Sequence, residues 1–150
     1  MSTEPIEPVE PVEPIELSEE HRRIAREVFD SIPFAQLLGM KLGEIAPGRA
    51  SVSMAMRHEL KQPSHLMHGG ATASLIDTAT AFAVASTLSK GENTATVDLT
   101  IHYLRPVTEG TVRCEAKILR AGKRLITVSA EVFNEQEKLV ATALSTYSKI

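Results

Sequence analysis

One cysteine, Cys114, and no tryptophan are present in the whole chain. A lone thiol excludes an intrachain disulfide framework and a zinc ribbon, and it gives no sign of an oxidising compartment. Aromatic residues make up only 4% of the sequence and do not interleave with a basic stripe, which argues against a nucleic-acid surface. There is no Gly-x-Ser-x-Gly elbow, no phosphate loop ending in Gly-Lys-Ser/Thr and no dinucleotide fingerprint. The opening residues, Met1-Ser2-Thr3-Glu4-Pro5, lack the basic-then-apolar order of a secretory signal, so a cytoplasmic location is the expectation. The longest apolar stretch, Ala71 to Leu88, is interrupted by Ser, Thr and Asp77 and consists largely of small Ala, so no membrane span is expected.

What is present is enough for one compact core: 150 residues, 43% of them hydrophobic. The net charge of −3 is unevenly spread, because Glu4, Glu7, Glu10, Glu13, Glu16, Glu19 and Glu20 hold seven of the 19 acidic residues. Residues 21–150 therefore carry 16 basic against 12 acidic side chains and are mildly cationic. Residues 4–16 repeat Glu-Pro-Ile/Val, a pattern that removes every third amide donor and favours an extended, disordered arm. The expected organisation is thus a Pro/Glu-rich tail over 1–17 and a single domain over 18–150.

Within that domain, Ser18 caps an amphipathic helix that runs to about Asp30, with Pro33 read as its end. A first strand is expected from Leu38 to Ile45, a turn at Pro47-Gly48, and a second strand from Arg49 to Met56. Gly69-Gly70 opens a long Ala-rich helix to Ser89, where Lys90-Gly91 supplies a cationic last turn and a stop. Its apolar residues go nearly all the way round, as in a helix enclosed on most sides. Strands then follow at Thr94 to Tyr103, Thr111 to Leu119, Leu125 to Phe133 and Leu139 to Tyr147. In the first of these, alternation sets Ala95, Val97, Leu99, Ile101 and Tyr103 on one face and Thr94, Thr96, Asp98, Thr100 and His102 on the other. The predicted architecture is α+β: a long central helix, inserted after the second strand, against a curved antiparallel sheet, with an additional N-terminal helix.

Between Lys61 and Lys90 the only formally charged side chain is Asp77, in the middle of the central helix. Its neighbours at three and four positions are Ala73, Ser74, Thr80 and Ala81, so no basic group on that helix neutralises it. Such a carboxylate must find hydrogen bonds elsewhere, shift its pKa upward, or face a water-filled cleft. The second feature is His68-Gly69-Gly70 at the helix start, where unpaired backbone N–H groups attract developing negative charge and glycine lets a ligand come close. His68 itself is also a candidate capping residue or packed core histidine, and two glycines are also simply a tight turn. With a solitary carboxylate further along the same helix, the pair fits acyl transfer or hydrolysis. Eight residues separate Gly69 from Asp77, about 12 Å along the axis. A reacting carbonyl must lie within about 3–3.5 Å of both. If the two cooperate, Asp77 of one chain meets Gly69 of another across a two-fold axis.

The run Gln62-Pro63-Ser64-His65-Leu66-Met67-His68-Gly69-Gly70-Ala71-Thr72-Ala73-Ser74-Leu75-Ile76-Asp77, followed by Thr96-Val97-Asp98-Leu99-Thr100-Ile101-His102-Tyr103-Leu104-Arg105-Pro106, resembles the hotdog-fold acyl-CoA thioesterases of the phenylacetate-pathway (PaaI) type. The resemblance covers about residues 33–149. It implies that Gly69 N–H polarises a thioester carbonyl and that Asp77 of the facing chain is nucleophile or general base. It also implies that Gln62 sits beside the oxyanion, that His68 orients that amide or the substrate, and that Thr96 positions the attacking water. The coenzyme's phosphates call for cations, for which Arg105 and the hairpin Arg120-Ala121-Gly122-Lys123-Arg124 are the candidates, with Gly70 lining the substrate site. Acyl-CoA is then the substrate, bound by a homodimer or a dimer of dimers, a homotetramer, without metal or cofactor, nucleic acid or membrane. A non-catalytic acyl-CoA sensor of the same fold is the alternative, and the mid-helix Asp77 weighs against it. His58, His65 and His68 make a poor metal set, since only the last two are close in sequence and no Cys supports them. Cys114, between Arg113 and Glu115 on a strand, reads as a buried structural thiol.

Overall fold

The computed structural model describes residues 16–150. The expected tail lies outside the described residues over positions 1–15, and only Glu16 and Leu17 of it fall within them. In chain order the elements are α1 (Glu19–Asp30), α2 (Pro33–Leu38), β1 (Met40–Ala46), β2 (Arg49–Ala55), a 3-10 turn (His58–Leu60), α3 (Gly69–Ala85), β3 (Thr94–Tyr103), β4 (Thr111–Ala121), β5 (Leu125–Phe133) and β6 (Leu139–Lys149). The six strands form one antiparallel sheet in the order β1-β2-β4-β5-β6-β3. The connection through α3 carries the chain across one face of the sheet and delivers β3 to the far edge, beyond β6. Among the described residues, no helix is long and apolar enough to cross a membrane.

The core lies between that face and α3. Leu75, Ile76, Ala79 and Ala83 of the helix are fully covered, as are Val52, Val112, Cys114, Val128 and Val132 of the strands beneath. β4 alternates as a half-covered strand should, with Val112, Cys114 and Ala116 inward and Arg113, Glu115 and Lys117 outward. Burial pushes the Cys114 thiol well above its ordinary range, in keeping with a structural side chain. The Ser18 cap is present: its hydroxyl accepts from His21 N–H at 3.2 Å.

Three expectations fail locally. Pro33 does not mark the end of ordered helix. α1 stops at Asp30, and Pro33 is the first residue of α2, the position where a missing N–H costs nothing. Leu38 accordingly ends α2 instead of starting β1, and Gly39 follows in the left-handed conformation at φ 66. α3 stops at Ala85, four residues short of Ser89. There Ser86 and Thr87 hydroxyls bond the Ala83 and Val84 carbonyls at 2.7 and 2.9 Å, in place of a further helical turn. α3 is enclosed on most sides, as expected, with Ala73, Ser74, Asp77, Thr78 and Ala81 forming a stripe that is only half-buried among the described residues.

The third failure bears on chemistry. β3 pairs with β6 with Thr96 opposite Tyr147 but Asp98 opposite Thr146, so Val97 is an unpaired bulge. Directly opposed residues share a face. Thr96, opposite buried Tyr147, therefore points to the same side as Leu99 and Ile101, which oppose Ser145 and Ala143. The even alternation expected for β3 had put Thr96 on the other face.

Candidate active site

The first group of residues forms around the start of α3. Backbone bonds from His68 N–H to the Leu60 carbonyl (2.7 Å) and from Met67 N–H to the Val107 carbonyl (2.8 Å) pin the incoming loop. His68 is extended (φ −63, ψ 134), and its Nδ1 accepts from Gly70 N–H at 2.9 Å, so His68 is the helix cap. That bond requires an unprotonated Nδ1, and the neutral ring then carries its proton on Nε2. The Tyr103 hydroxyl donates to the Gly69 carbonyl at 2.9 Å. Among the described residues no acceptor faces Gly69 N–H, one of the donors that a helix start leaves open.

Gln62 is held in a tight turn by its own N–H, bonded to the Leu66 carbonyl at 2.8 Å, while its Nε2 donates to Ser64 Oγ at 2.9 Å. Gln62, Gly69, Thr72, Tyr103 and Arg105 line one cleft of about 380 Å³. Arg105 is anchored there by a 2.7 Å bond from its guanidinium to the Leu139 carbonyl.

The second group surrounds Asp77. Thr96 Oγ1 donates to Asp77 Oδ1 at 3.1 Å, a bond made possible by the Val97 bulge. The Tyr147 hydroxyl lies 3.1 Å from the Asp77 carbonyl oxygen and 3.4 Å from Asp77 Oδ1. It also meets Thr80 Oγ1 at 2.8 Å. Burial pushes the Tyr147 phenol above its ordinary range, so it stays a neutral donor near neutral pH. Asp77 itself is half-buried: it has partners on one side and opens outward on the other. Tyr147 and Tyr103 were given no role by sequence reasoning. The signal for Tyr147 was faint, an aromatic on the inward face of the last strand.

The two groups are not together in one chain. Gly69 packs at the Tyr103 end of β3, opposite Ala141, whereas Asp77 packs at the Thr96 end, opposite Tyr147. Seven residues of strand separate these ends, about 20 Å. The candidate cations divide in the same way. Arg105 lines the Gly69 cleft. The Arg120–Arg124 hairpin lies at the other end, where the Arg124 carbonyl accepts from Lys149 N–H at 2.9 Å and Lys149 pairs with Thr94. Gly122 closes that hairpin through a 2.8 Å bond to the Leu125 carbonyl, and a Cβ there would sit 2.9 Å from the same oxygen. Among the described residues no cluster of three or more His, Cys, Asp or Glu side chains could hold a metal.

Comparison with known proteins gives this geometry its context. The Thioesterase superfamily profile matches residues 65–141. ComA2 of Bacillus subtilis is 32% identical over 117 residues, 77% of this chain and 92% of that relative. The medium/long-chain acyl-CoA thioesterase YigI of Escherichia coli is 27% identical, covering 87% of this chain and 94% of its own. Among solved structures, the PaaI protein of the E. coli phenylacetic acid degradation operon superposes with a TM-score of 0.82 at 29% identity, over 89% of this chain and 96% of that one. With that match placed over the α3 start, Asp77 and β3, the chain belongs to the thioesterase superfamily and is a hotdog-fold thioesterase.

Proposed function

We propose that this protein hydrolyses acyl-CoA thioesters at two equivalent sites, each composed from two copies of the chain. One observation carries the reading: the Gly69 cleft and the Asp77 cluster sit at opposite ends of β3, and β3 is an edge strand whose outer side is unpaired among the described residues. Val97, Tyr103 and Leu104 at that edge are 59%, 55% and 49% exposed. Antiparallel pairing of β3 with its own copy about a two-fold axis brings the Thr96 end of each strand to the Tyr103 end of the other. Asp77 of one copy then faces Gly69 of the other, and the hairpin cations of the first join Arg105 of the second around one coenzyme.

In this site Gly69 N–H and the Gln62 amide stabilise the oxyanion that forms when the thioester carbonyl is attacked. Asp77, oriented by Thr96 and Tyr147, supplies the attack in one of two ways. Either its carboxylate takes a proton from water as the water oxygen bonds to the carbonyl carbon, or the carboxylate bonds to that carbon itself and water later cleaves the anhydride. In both, the carbon–sulfur bond breaks, the coenzyme leaves as thiolate and takes up a proton, and the acid is released. Single-turnover reaction in heavy-oxygen water separates them: label in Asp77 marks the covalent route.

The test of the reading is Asp77→Asn. Turnover of a panel of short, long and aromatic acyl-CoAs falls by about 10²–10⁴-fold, with acyl-CoA binding and melting temperature kept. Wild-type turnover in a folded Asp77→Asn protein rejects the assignment. Light scattering on the same samples gives the number of copies, two or four.

A further inference from the structure

We infer that the groove between α1 and the C-terminal half of α3 holds the acyl chain of the substrate, and that the substrate is therefore a medium-length unbranched fatty acyl thioester. This rests on the reading of Asp77 given above and adds the identity of the acyl group. The groove is about 540 Å³, and its walls include Ile24 and Val28 of α1 and Ala81, Phe82 and Ala85 of α3, with Leu88 beyond. Ile24 and Val28 are 43% and 50% exposed, although they lie on the apolar side of α1, whose one buried residue is Phe29. Among the described residues His21 is the one titratable side chain on the walls, and its Nδ1 is engaged by Ser18 Oγ at 2.8 Å. The two wall hydroxyls, Ser86 and Thr87, already donate to the Ala83 and Val84 carbonyls, and a pocket of this composition suits a hydrocarbon.

Its position ties it to the reaction. Ala81 lies one helical turn beyond Asp77 on the same face, and Ala85 one turn further. Both are alanine, and among the described residues Ala81 is only half-buried and Ala85 exposed. A chain leaving a carbonyl at Asp77 thus runs over two small residues directly into the groove, whose far wall is α1. The depth of the groove floor is buttressed by Phe82, held edge-on against Phe29 with ring centroids 5.0 Å apart. From Asp77 to Ala85 is eight residues, about 12 Å. An extended hydrocarbon advances about 1.25 Å per carbon, given bonds of about 1.5 Å, so about ten carbons reach Ala85.

Each methylene buried in such a groove raises kcat/KM by about fourfold until the groove is full. In wild-type protein kcat/KM is expected to climb with acyl length and level off at about ten carbons. Ala85→Trp fills the groove from an exposed position, and Val28→Trp fills it from the opposite wall. Each is expected to lower the ratio of decanoyl- to butyryl-CoA kcat/KM by at least about tenfold and to move the plateau to shorter chains. Both variants keeping the wild-type length profile overturns the inference, whatever Asp77→Asn does. If the wild type cleaves none of the panel, the thioesterase reading has failed and the groove is judged alone, by calorimetric binding of a non-cleavable decyl thioether of coenzyme A. Weaker binding by Ala85→Trp then supports the groove, and unchanged binding overturns it.

Discussion

Gly69→Pro removes a single proton from the proposed oxyanion site and nothing that α3 uses. The residue is the first of the helix, where its N–H has no intrahelical acceptor and where the fixed φ of proline is suited. His68 before it already lies at φ −63, ψ 134, the region preferred ahead of a proline. The steric cost falls on Tyr103, because a Cβ at position 69 lies 3.3 Å from its Cζ and 3.4 Å from its hydroxyl oxygen. That ring is 55% exposed and can yield by the few tenths of an ångström required. Loss of one donor aimed at a developing oxyanion lowers kcat by about 10²–10³-fold, or ~2.7–4 kcal/mol of transition-state stabilisation.

Gly69→Ala is the control, since it meets the same ring and keeps the N–H. The assay is thiol release at saturating acyl-CoA, with thermal melts of both variants. A folded Gly69→Pro protein whose kcat matches that of Gly69→Ala refutes the oxyanion role. Co-refolding Gly69→Pro with Asp77→Asn in equal amounts makes half the dimers mixed, each with one intact site and one doubly defective, so about a quarter of wild-type activity returns. No recovery, in a sample shown by native mass spectrometry to contain mixed dimers, refutes the shared site.

Three further outcomes follow from the same geometry. Thr96→Val keeps the side-chain shape but deprives Asp77 Oδ1 of its 3.1 Å donor, and kcat is expected to fall about tenfold at unchanged KM; unchanged kcat removes Thr96 from the site. Burial keeps the Cys114 thiol and the Tyr147 phenol protonated to higher pH in the folded chain than in the unfolded one, where they titrate near 9 and 10. The folded state therefore holds these protons more tightly, so stability is full below pH 9 and declines as pH rises beyond it. Urea midpoints from pH 8 upward check this: Cys114→Ala delays the decline toward pH 10, and a flat profile in the wild type contradicts it. Ser18→Ala removes the acceptor of His21 N–H and destabilises α1 by about 1 kcal/mol, seen as faster amide exchange confined to residues 19–30.

Long elements were legible because their signals are redundant. α3 combines a cap, a glycine pair and a run of alanines, and β4 and β5 each alternate over nine residues. α2 was not, since six residues are too few to express a helical period. Its mark was instead a pair of punctuation residues, Pro33 at the first helical position and Gly39 just past the last, and taking the proline only as a stop hid it. The end of α3 was misplaced for a related reason. Lys90-Gly91 looks like a helix stop, but the hydroxyls of Ser86 and Thr87 had already taken the terminal carbonyls.

The chemistry was legible residue by residue but not in its arrangement. Asp77 and Gly69 stand out in composition and spacing, and helical rise alone says that one chain cannot join them. What turns Thr96 toward Asp77 is a bulge at Val97, and a bulge is a property of the pairing between two strands, not of either strand's own pattern. Apolar residues at 95, 97, 99, 101 and 103 continue straight through it, so nothing in β3 signals the slip. Without the extra residue, Thr96 would face the side of the sheet away from α3, and Asp77 Oδ1 would lose its 3.1 Å donor and keep only the Tyr147 hydroxyl at 3.4 Å. The catalytic carboxylate proposed here thus depends on the edge strand twice, once for the register that delivers a hydroxyl to it and once for the unpaired side through which the second copy brings the oxyanion donors.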